Sequence, residues 1–138
     1  MSLCIAAGGV VTALAWQAFT LEWTHSIEKI LWEEDYQIEG STLRLIRARI
    51  RGSGAGMEVP DDARLVDGVW HYTPALAPLE RLHLTHSPYA EGYRVRHDGE
   101  CAPLTRYAPA VQEDDVIEVY VCTLPPGRHD LAAAGDEA

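Results

Sequence analysis

A period of two runs along this chain. In Phe19-Thr20-Leu21-Glu22-Trp23 apolar residues alternate with polar ones, the mark of a strand with one buried face. The next segment repeats the pattern: Ile30, Trp32, Tyr36 and Ile38 share one face, and Lys29, Glu33, Asp35 and Gln37 share the other. Glu34 falls on the apolar face and breaks the alternation. Gly40-Ser41-Thr42 has turn chemistry, and Leu43 to Ile50 returns as a strand. With Glu39 opposite Leu43, Asp35 would face Arg47 and Glu33 would face Arg49. Trp32 would then sit by Ile50 and Tyr36 by Ile46. Charged and apolar positions agree on that register, each cross-strand pair contributing about 0.2–1 kcal/mol. The arginine stripe therefore reads as a structural ladder before it reads as a ligand site.

Two further hairpins are marked by Asp-Gly turns. Asp67-Gly68 lies between Arg64-Leu65-Val66 and Val69-Trp70-His71-Tyr72, and Asp98-Gly99 between Tyr93 to His97 and Glu100-Cys101-Ala102. Arg81 to His86 alternates between them, and Val116 to Cys122 gives a last strand. At the N-terminus, Gly8-Gly9 separates two short apolar runs and predicts strands over 2–7 and 10–15. Short strands at regular spacing, without an amphipathic helix pattern, predict an all-β fold. The expected architecture is a small antiparallel β-sandwich or partly open barrel built from hairpins. Residues 2–124 form the single β domain of this reading. From Pro125 the chain turns to Pro-Pro-Gly and then Ala-Ala-Ala-Gly-Asp-Glu-Ala, which predicts a disordered, flexible acidic tail over 125–138.

Charge narrows the function classes. The 138 residues carry 11 basic and 21 acidic side chains, a net charge of −10. A nucleic-acid binder needs a basic surface to displace counterions, and an anionic membrane surface makes the same demand, so neither is an expected partner. No run of eighteen apolar residues predicts a bilayer span, which excludes direct membrane insertion by a helix. The N-terminal run has no Lys or Arg before Lys29, whereas a secretory signal opens on basic residues. An uncleaved hairpin, and with it a cytoplasmic location, is the reading of those residues alone.

Cys4, Cys101 and Cys122 are too few and too scattered for a zinc or thioredoxin-like site. An oxidising compartment would allow one disulfide among them. Buried free thiols are the favoured reading.

The polar constellation of interest starts where the first long strand ends. His25, Ser26 and Glu28 follow Trp23-Thr24, and Glu34 follows Trp32-Glu33. Gly52, Ser53, Gly54 and Gly56 then form a glycine-rich loop whose backbone amides could line a nest for a carboxylate or phosphate. The loop lacks the Gly-Lys-Ser/Thr ending of a phosphate-binding P-loop, and a bulge or strand crossover between sheets is the favoured explanation of it. Neighbouring strand residues point to opposite faces, so His25 and Ser26 make no base–nucleophile pair unless the strand breaks there. No catalytic residue is assigned. A buried charge needs a partner, and His25 is the expected partner of Glu34. The remaining imidazoles, His71, His83, His86, His97 and His129, have no metal-ligand spacing, so neither a metal nor another cofactor is expected.

The segments Phe19 to Lys29, Trp32-Glu33-Glu34 and Arg51 to Glu58 resemble the bacterial domain-of-unknown-function family numbered eighteen-fifty. Asp67-Gly68-Val69-Trp70 and Cys101-Ala102-Pro103-Leu104 fit the same family, and the resemblance covers roughly residues 3 to 104. It implies a context rather than a chemistry. Genes of that family often lie beside TRAP-type transporters that use a TAXI-type extracytoplasmic solute receptor. Many relatives carry an N-terminal signal or anchor, which implies the periplasm or cell envelope; this chain departs from them by starting almost at its first strand. The motif-matching positions are His25, Ser26, Glu28, Glu34 and the 52–56 loop.

Three readings follow. The first is a non-enzymatic accessory or binding module of a TRAP system, contacting the membrane subunit or the solute receptor, or holding a small organic anion. The second is a small hydrolase or isomerase using His25 with a nearby carboxylate. The third is a structural interaction domain whose exposed strand edge pairs with a partner.

Overall fold

The computed structural model describes residues 1–24, 30–51, 62–74, 76–87 and 92–131. The chain opens with β1 (Ser2–Ala7) and β2 (Val10–Leu14), joined by the Gly8-Gly9 turn. The long strands β3 (Ala18–Thr24), β4 (Leu31–Glu39) and β5 (Thr42–Arg51) follow. Then come β6 (Arg64–Val66), β7 (Val69–Tyr72) and β8 (Arg81–Thr85). The last strands are β9 (Arg94–His97), β10 (Glu100–Pro103), β11 (Val116–Cys122) and β12 (Gly127–Asp130), with a 3₁₀ turn over Leu104–Tyr107 after β10. Among the described residues these strands make two antiparallel sheets that do not close into a barrel. One runs β12-β2-β1-β11-β8 and the other β10-β9-β3-β4-β5-β7-β6. The all-β expectation holds, and its sandwich form is the one realised.

Alternation decides which side chains meet between the sheets. Leu3 and Ile5 of β1, Ile117 and Val119 of β11, and Leu82 and Leu84 of β8 face inward from the smaller sheet. Phe19, Leu21, Tyr36, Leu43, Leu45 and Val95 meet them from the larger one. The Asp-Gly hairpins form as the sequence predicts: Asp67 and Gly68, and likewise Asp98 and Gly99, all take positive φ, the geometry of a two-residue turn between twisted strands.

The β4–β5 register follows the sequence for half its length. Glu33 faces Arg49, Asp35 faces Arg47 and Trp32 faces Ile50. Beyond Asp35 the pairing shifts by one, so Tyr36 faces Leu45 rather than Ile46, and Glu39 faces Thr42 rather than Leu43. The physical reason is a β-bulge that leaves Ile46 without a cross-strand partner and 40% exposed. Beyond it, Leu45 and Leu43 stay on the core side and Gly40-Ser41 closes a two-residue turn.

Two further expectations are corrected. Cys4 and Cys122 are not free thiols: they form a disulfide, Cα to Cα 5.9 Å, between strands that are neighbours only in the folded sheet. Cys101 is free and exposed. The segment expected as a tail from residue 125 also contributes a strand. Residues 127–130 pair with β2 because that strand would otherwise leave its amides and carbonyls open at the sheet edge. The Leu131 amide donates to the Gly9 carbonyl at 2.8 Å, which extends the attachment. Residues 132–138 lie outside the described ones.

Candidate functional site

Of the residues singled out from the sequence, Glu34 is the one the structure describes. His25, Ser26, Glu28, Gly52, Ser53, Gly54 and Gly56 lie outside the described residues. Glu34 sits mid-strand on the inner face of the larger sheet, between Leu21 of β3 and Ala48 of β5. Its partner among the described residues is Tyr36, whose hydroxyl donates to Glu34 Oε1 at 2.8 Å. Tyrosine at i+2 on a strand shares the face of Glu34, so the pair is local and needs no tertiary contact. Burial raises the carboxyl above its ordinary value, and the Tyr36 hydrogen bond only partly offsets that. Burial also raises Tyr36, Tyr72 and Tyr93, and the charge of Glu34 adds to the shift of each. Around this carboxyl the face is aromatic. Trp23 stacks on Trp32 with centroids 6.0 Å apart and meets Tyr93 at 5.7 Å, while the buried Trp32 indole N–H has no acceptor among the described residues.

The opposite face of the same sheet has the opposite character. Register places Arg44, Arg47 and Arg49 with Arg51 of β5, Arg64 of β6, and Arg94 with Arg96 of β9 all on that outer face. These are seven of the ten arginines in the chain. The strands bring four carboxylates to the face, Glu22, Glu33, Asp35 and Glu39, so guanidinium is in excess on a protein that is acidic as a whole.

Glu33 lies at the middle of that face and is 1% exposed. Arg51 and Arg96 hydrogen-bond to its two oxygens, Arg96 at 2.9 Å, and Arg49 lies 3.7 Å away. Burial works against its ionisation, yet the hydrogen bonds from Arg51 and Arg96 outweigh that and hold the carboxyl below its ordinary value. Asp35 is held low in the same way, its burial overcome by Arg49 and Thr20. Arg49 grips Asp35 with both terminal nitrogens at 2.7 Å, and Thr20 Oγ1 donates to it at 2.7 Å. Arg96 reaches Glu22 at 2.6 Å, Arg94 approaches it at 3.8 Å, and the Cys101 thiol donates to it at 3.3 Å. The ladder expected between β4 and β5 is therefore present and extends to β3, β9 and β10. The sequence shows Arg94 and Arg96 at strand spacing, but the strand order that sets β9 beside β3 was needed to bring them to Glu22 and Glu33.

Two of the seven arginines stand apart. Arg47 and Arg64 are exposed and have no carboxylate within ion-pair distance among the described residues. Both line a cleft of 370 Å³ with Asp62, His71, Tyr72 and Thr73. A separate cleft of 420 Å³ opens beside Trp23, Tyr93, His86 and Arg94.

The other imidazoles are dispersed. His97 stacks on Trp16 at 4.4 Å, His83 lies 3.3 Å from Glu118, and His129 bonds the Pro125 carbonyl at 2.8 Å. Among the described residues no group of three or more His, Cys, Asp or Glu is placed to hold a metal, and no helix is long and apolar enough to cross a membrane.

A family model described as a domain of unknown function, DUF1850, matches residues 19–104. That span starts in β3 and ends at the 3₁₀ turn, so it contains every strand of the larger sheet, both faces described above, and β8. No curated protein and no solved structure matches the chain.

Proposed function

The chain belongs to the DUF1850 family, and on that premise we propose that it is a non-enzymatic accessory module of a TRAP-type transport system served by a TAXI-type solute receptor. The gene neighbourhood implied by the family resemblance supplies the system. The observation that carries a binding role is the outer face of the larger sheet, where seven arginines meet four carboxylates on a chain of net charge −10. A concentrated cationic face on an acidic body favours acidic surfaces and small anions and orients the approach of a partner. The module presents this face to the transporter's membrane subunit or to its receptor. The Cys4–Cys122 disulfide supports work in an oxidising compartment outside the cytoplasm, where the receptor of such a system operates.

The test is affinity capture of the tagged protein from its own cells, with membrane and soluble fractions identified separately by mass spectrometry. Recovery of a TRAP membrane subunit or a TAXI-type receptor, lost on Arg94→Glu, is the expected result. Capture that recovers neither protein from either fraction overturns the reading. A thiol-alkylation mass shift on the freshly captured chain reports the Cys4–Cys122 bond. A fully reduced pair would remove the support for an exported location.

A further inference from the structure

Five of the seven arginines on the outer face have a carboxylate partner among the described residues, and the two that have none there converge on one cleft. Arg44 pairs with Glu39, Arg49 with Asp35, Arg51 with Glu33, and Arg94 and Arg96 with Glu22. Asp35, the carboxylate directly across from Arg47, is taken by both terminal nitrogens of Arg49, and Arg47 acts on it through longer-range attraction. Arg64 faces His71 across the β6–β7 pair, and His71 faces Arg49 across the β7–β5 pair, so Arg64, His71 and Arg47 lie on three adjacent strands.

The backbone opens the cleft at this point. The β5–β7 pairing ends at Ala48 and Tyr72, one residue before Arg47, and the bulge at Ile46 follows immediately. Bulges are common beside binding sites, and this one adjoins a guanidinium that has no carboxylate partner among the described residues. The resulting space of 370 Å³ is small-molecule sized, near the lower end of the roughly 300–1,000 Å³ common for such sites.

We infer that Arg47, Arg64 and His71 form a binding site for a small hydroxy-carboxylate anion. Two guanidinium forks match carboxylate oxygens in geometry and charge, and the imidazole offers a further donor. Asp62, also in the lining, disfavours a compact dianion such as phosphate and suits a ligand hydroxyl that donates to it. Tyr72 and Thr73 follow His71 along the chain and complete the lining, the Tyr72 ring belonging to the inner face with Ala48 and Glu34. The site deepens the reading of the chain as a binding module and rests on it, but not on the identity of its protein partner.

The test is a titration of the isotope-labelled full chain with malate, with acetate and with inorganic phosphate, followed by backbone amide shifts at constant ionic strength. Malate should give saturable shifts in β6 and β7. Its affinity should fall at least about tenfold in Arg47→Ala/Arg64→Ala and by less in Arg64→Lys, which keeps the charge and loses the fork. Arg94→Ala, on the same face but outside the cleft, should bind malate as the wild type does. Amide dispersion in the same spectra shows that each variant is folded. Saturation by phosphate more tightly than by malate, shifts that survive the double substitution, or shifts absent at every concentration each overturn the site. A chain that binds malate but captures no TRAP component refutes the partner while keeping the cleft, and the converse result refutes the cleft alone.

Discussion

Cys4 and Cys122 close a covalent loop over a sequence separation of 118 residues, joining β1 to β11 in the middle of the smaller sheet. The register sets Cys4 opposite Tyr120 and Cys122 opposite Ser2, so both sulfurs project from one face of two paired strands. Cross-linking so long a loop removes much of the unfolded chain's freedom. Cys4→Ala/Cys122→Ala is expected to lower stability by about 3–5 kcal/mol, read as a drop in the urea midpoint with little change in slope. Reduction of the wild type should reproduce the loss, while Cys101→Ser should not.

Removing Glu33 strands guanidiniums that the fold has gathered around it. Glu33→Ala is expected to cost about 2 kcal/mol in chemical denaturation. The cost falls below that of a sealed ion pair because Arg51 and Arg96 are themselves 49% and 38% exposed. Arg44→Ala, whose partner Glu39 is at the surface, should change stability hardly at all.

The acid limb of the stability profile has contributions of opposite sign. Glu33 and Asp35 titrate below their ordinary 4.5 and 3.8 in the folded chain, so the unfolded chain binds more protons there. Their stabilisation is complete above those ordinary values and is lost as pH falls through the lower folded ones. Glu34 titrates above 4.5, so its contribution is complete below that value and is lost as pH rises through the folded one. Glu34→Gln keeps an acceptor for Tyr36 and removes the buried charge. It should raise the thermal midpoint near neutral pH and leave it unchanged near about pH 3, a comparison that calorimetry makes directly.

Two isoleucines of β5 should respond differently to the same truncation. Ile50→Ala is expected to cost about 2–4 kcal/mol, because Ile50 is 1% exposed against the inner face. Ile46→Ala, on the bulge and 40% exposed, should stay within about 0.5 kcal/mol of wild type. Equal losses at both positions would mean that the bulge is absent in solution.

Gly8 and Gly9 share positive φ but not surroundings. A Cβ on Gly8 would lie 2.2 Å from the Ala110 carbonyl oxygen, whereas one on Gly9 meets nothing within 4 Å among the described residues. Gly8→Ala should therefore destabilise by about 2 kcal/mol or more, and Gly9→Asn by well under about 1 kcal/mol, in parallel thermal melts.

Local pattern made much of the larger sheet legible. Alternation in Phe19 to Trp23 and in Ile30 to Ile38 marked β3 and β4, and positive-φ Asp-Gly pairs marked two hairpins, because both signals act between near neighbours. The pairing of Arg47 and Arg49 with Asp35 and Glu33 was readable for the same reason: one turn fixes both strands. The shift beyond Asp35 was not readable, since a one-residue bulge costs little locally and is decided by which of Leu45 and Ile46 the opposite sheet can bury. Gly127–Asp130 carries no apolar alternation and became a strand only because β2 offered an open edge.

The candidate sites divide along the same line. Glu34 was visible as an acid on an apolar face, and its aromatic surroundings follow from residues two positions away and on paired strands. The cationic face was not visible as a whole. Its arginines come from β5, β6 and β9, and only the strand order β9-β3-β4-β5-β7-β6 sets them side by side. The Cys4–Cys122 bond has the same origin. Sequence determines the period of each strand and the chemistry of each turn, because those depend on residues within covalent reach. Which strands become neighbours is decided by burying their apolar faces together, a choice that belongs to the whole chain.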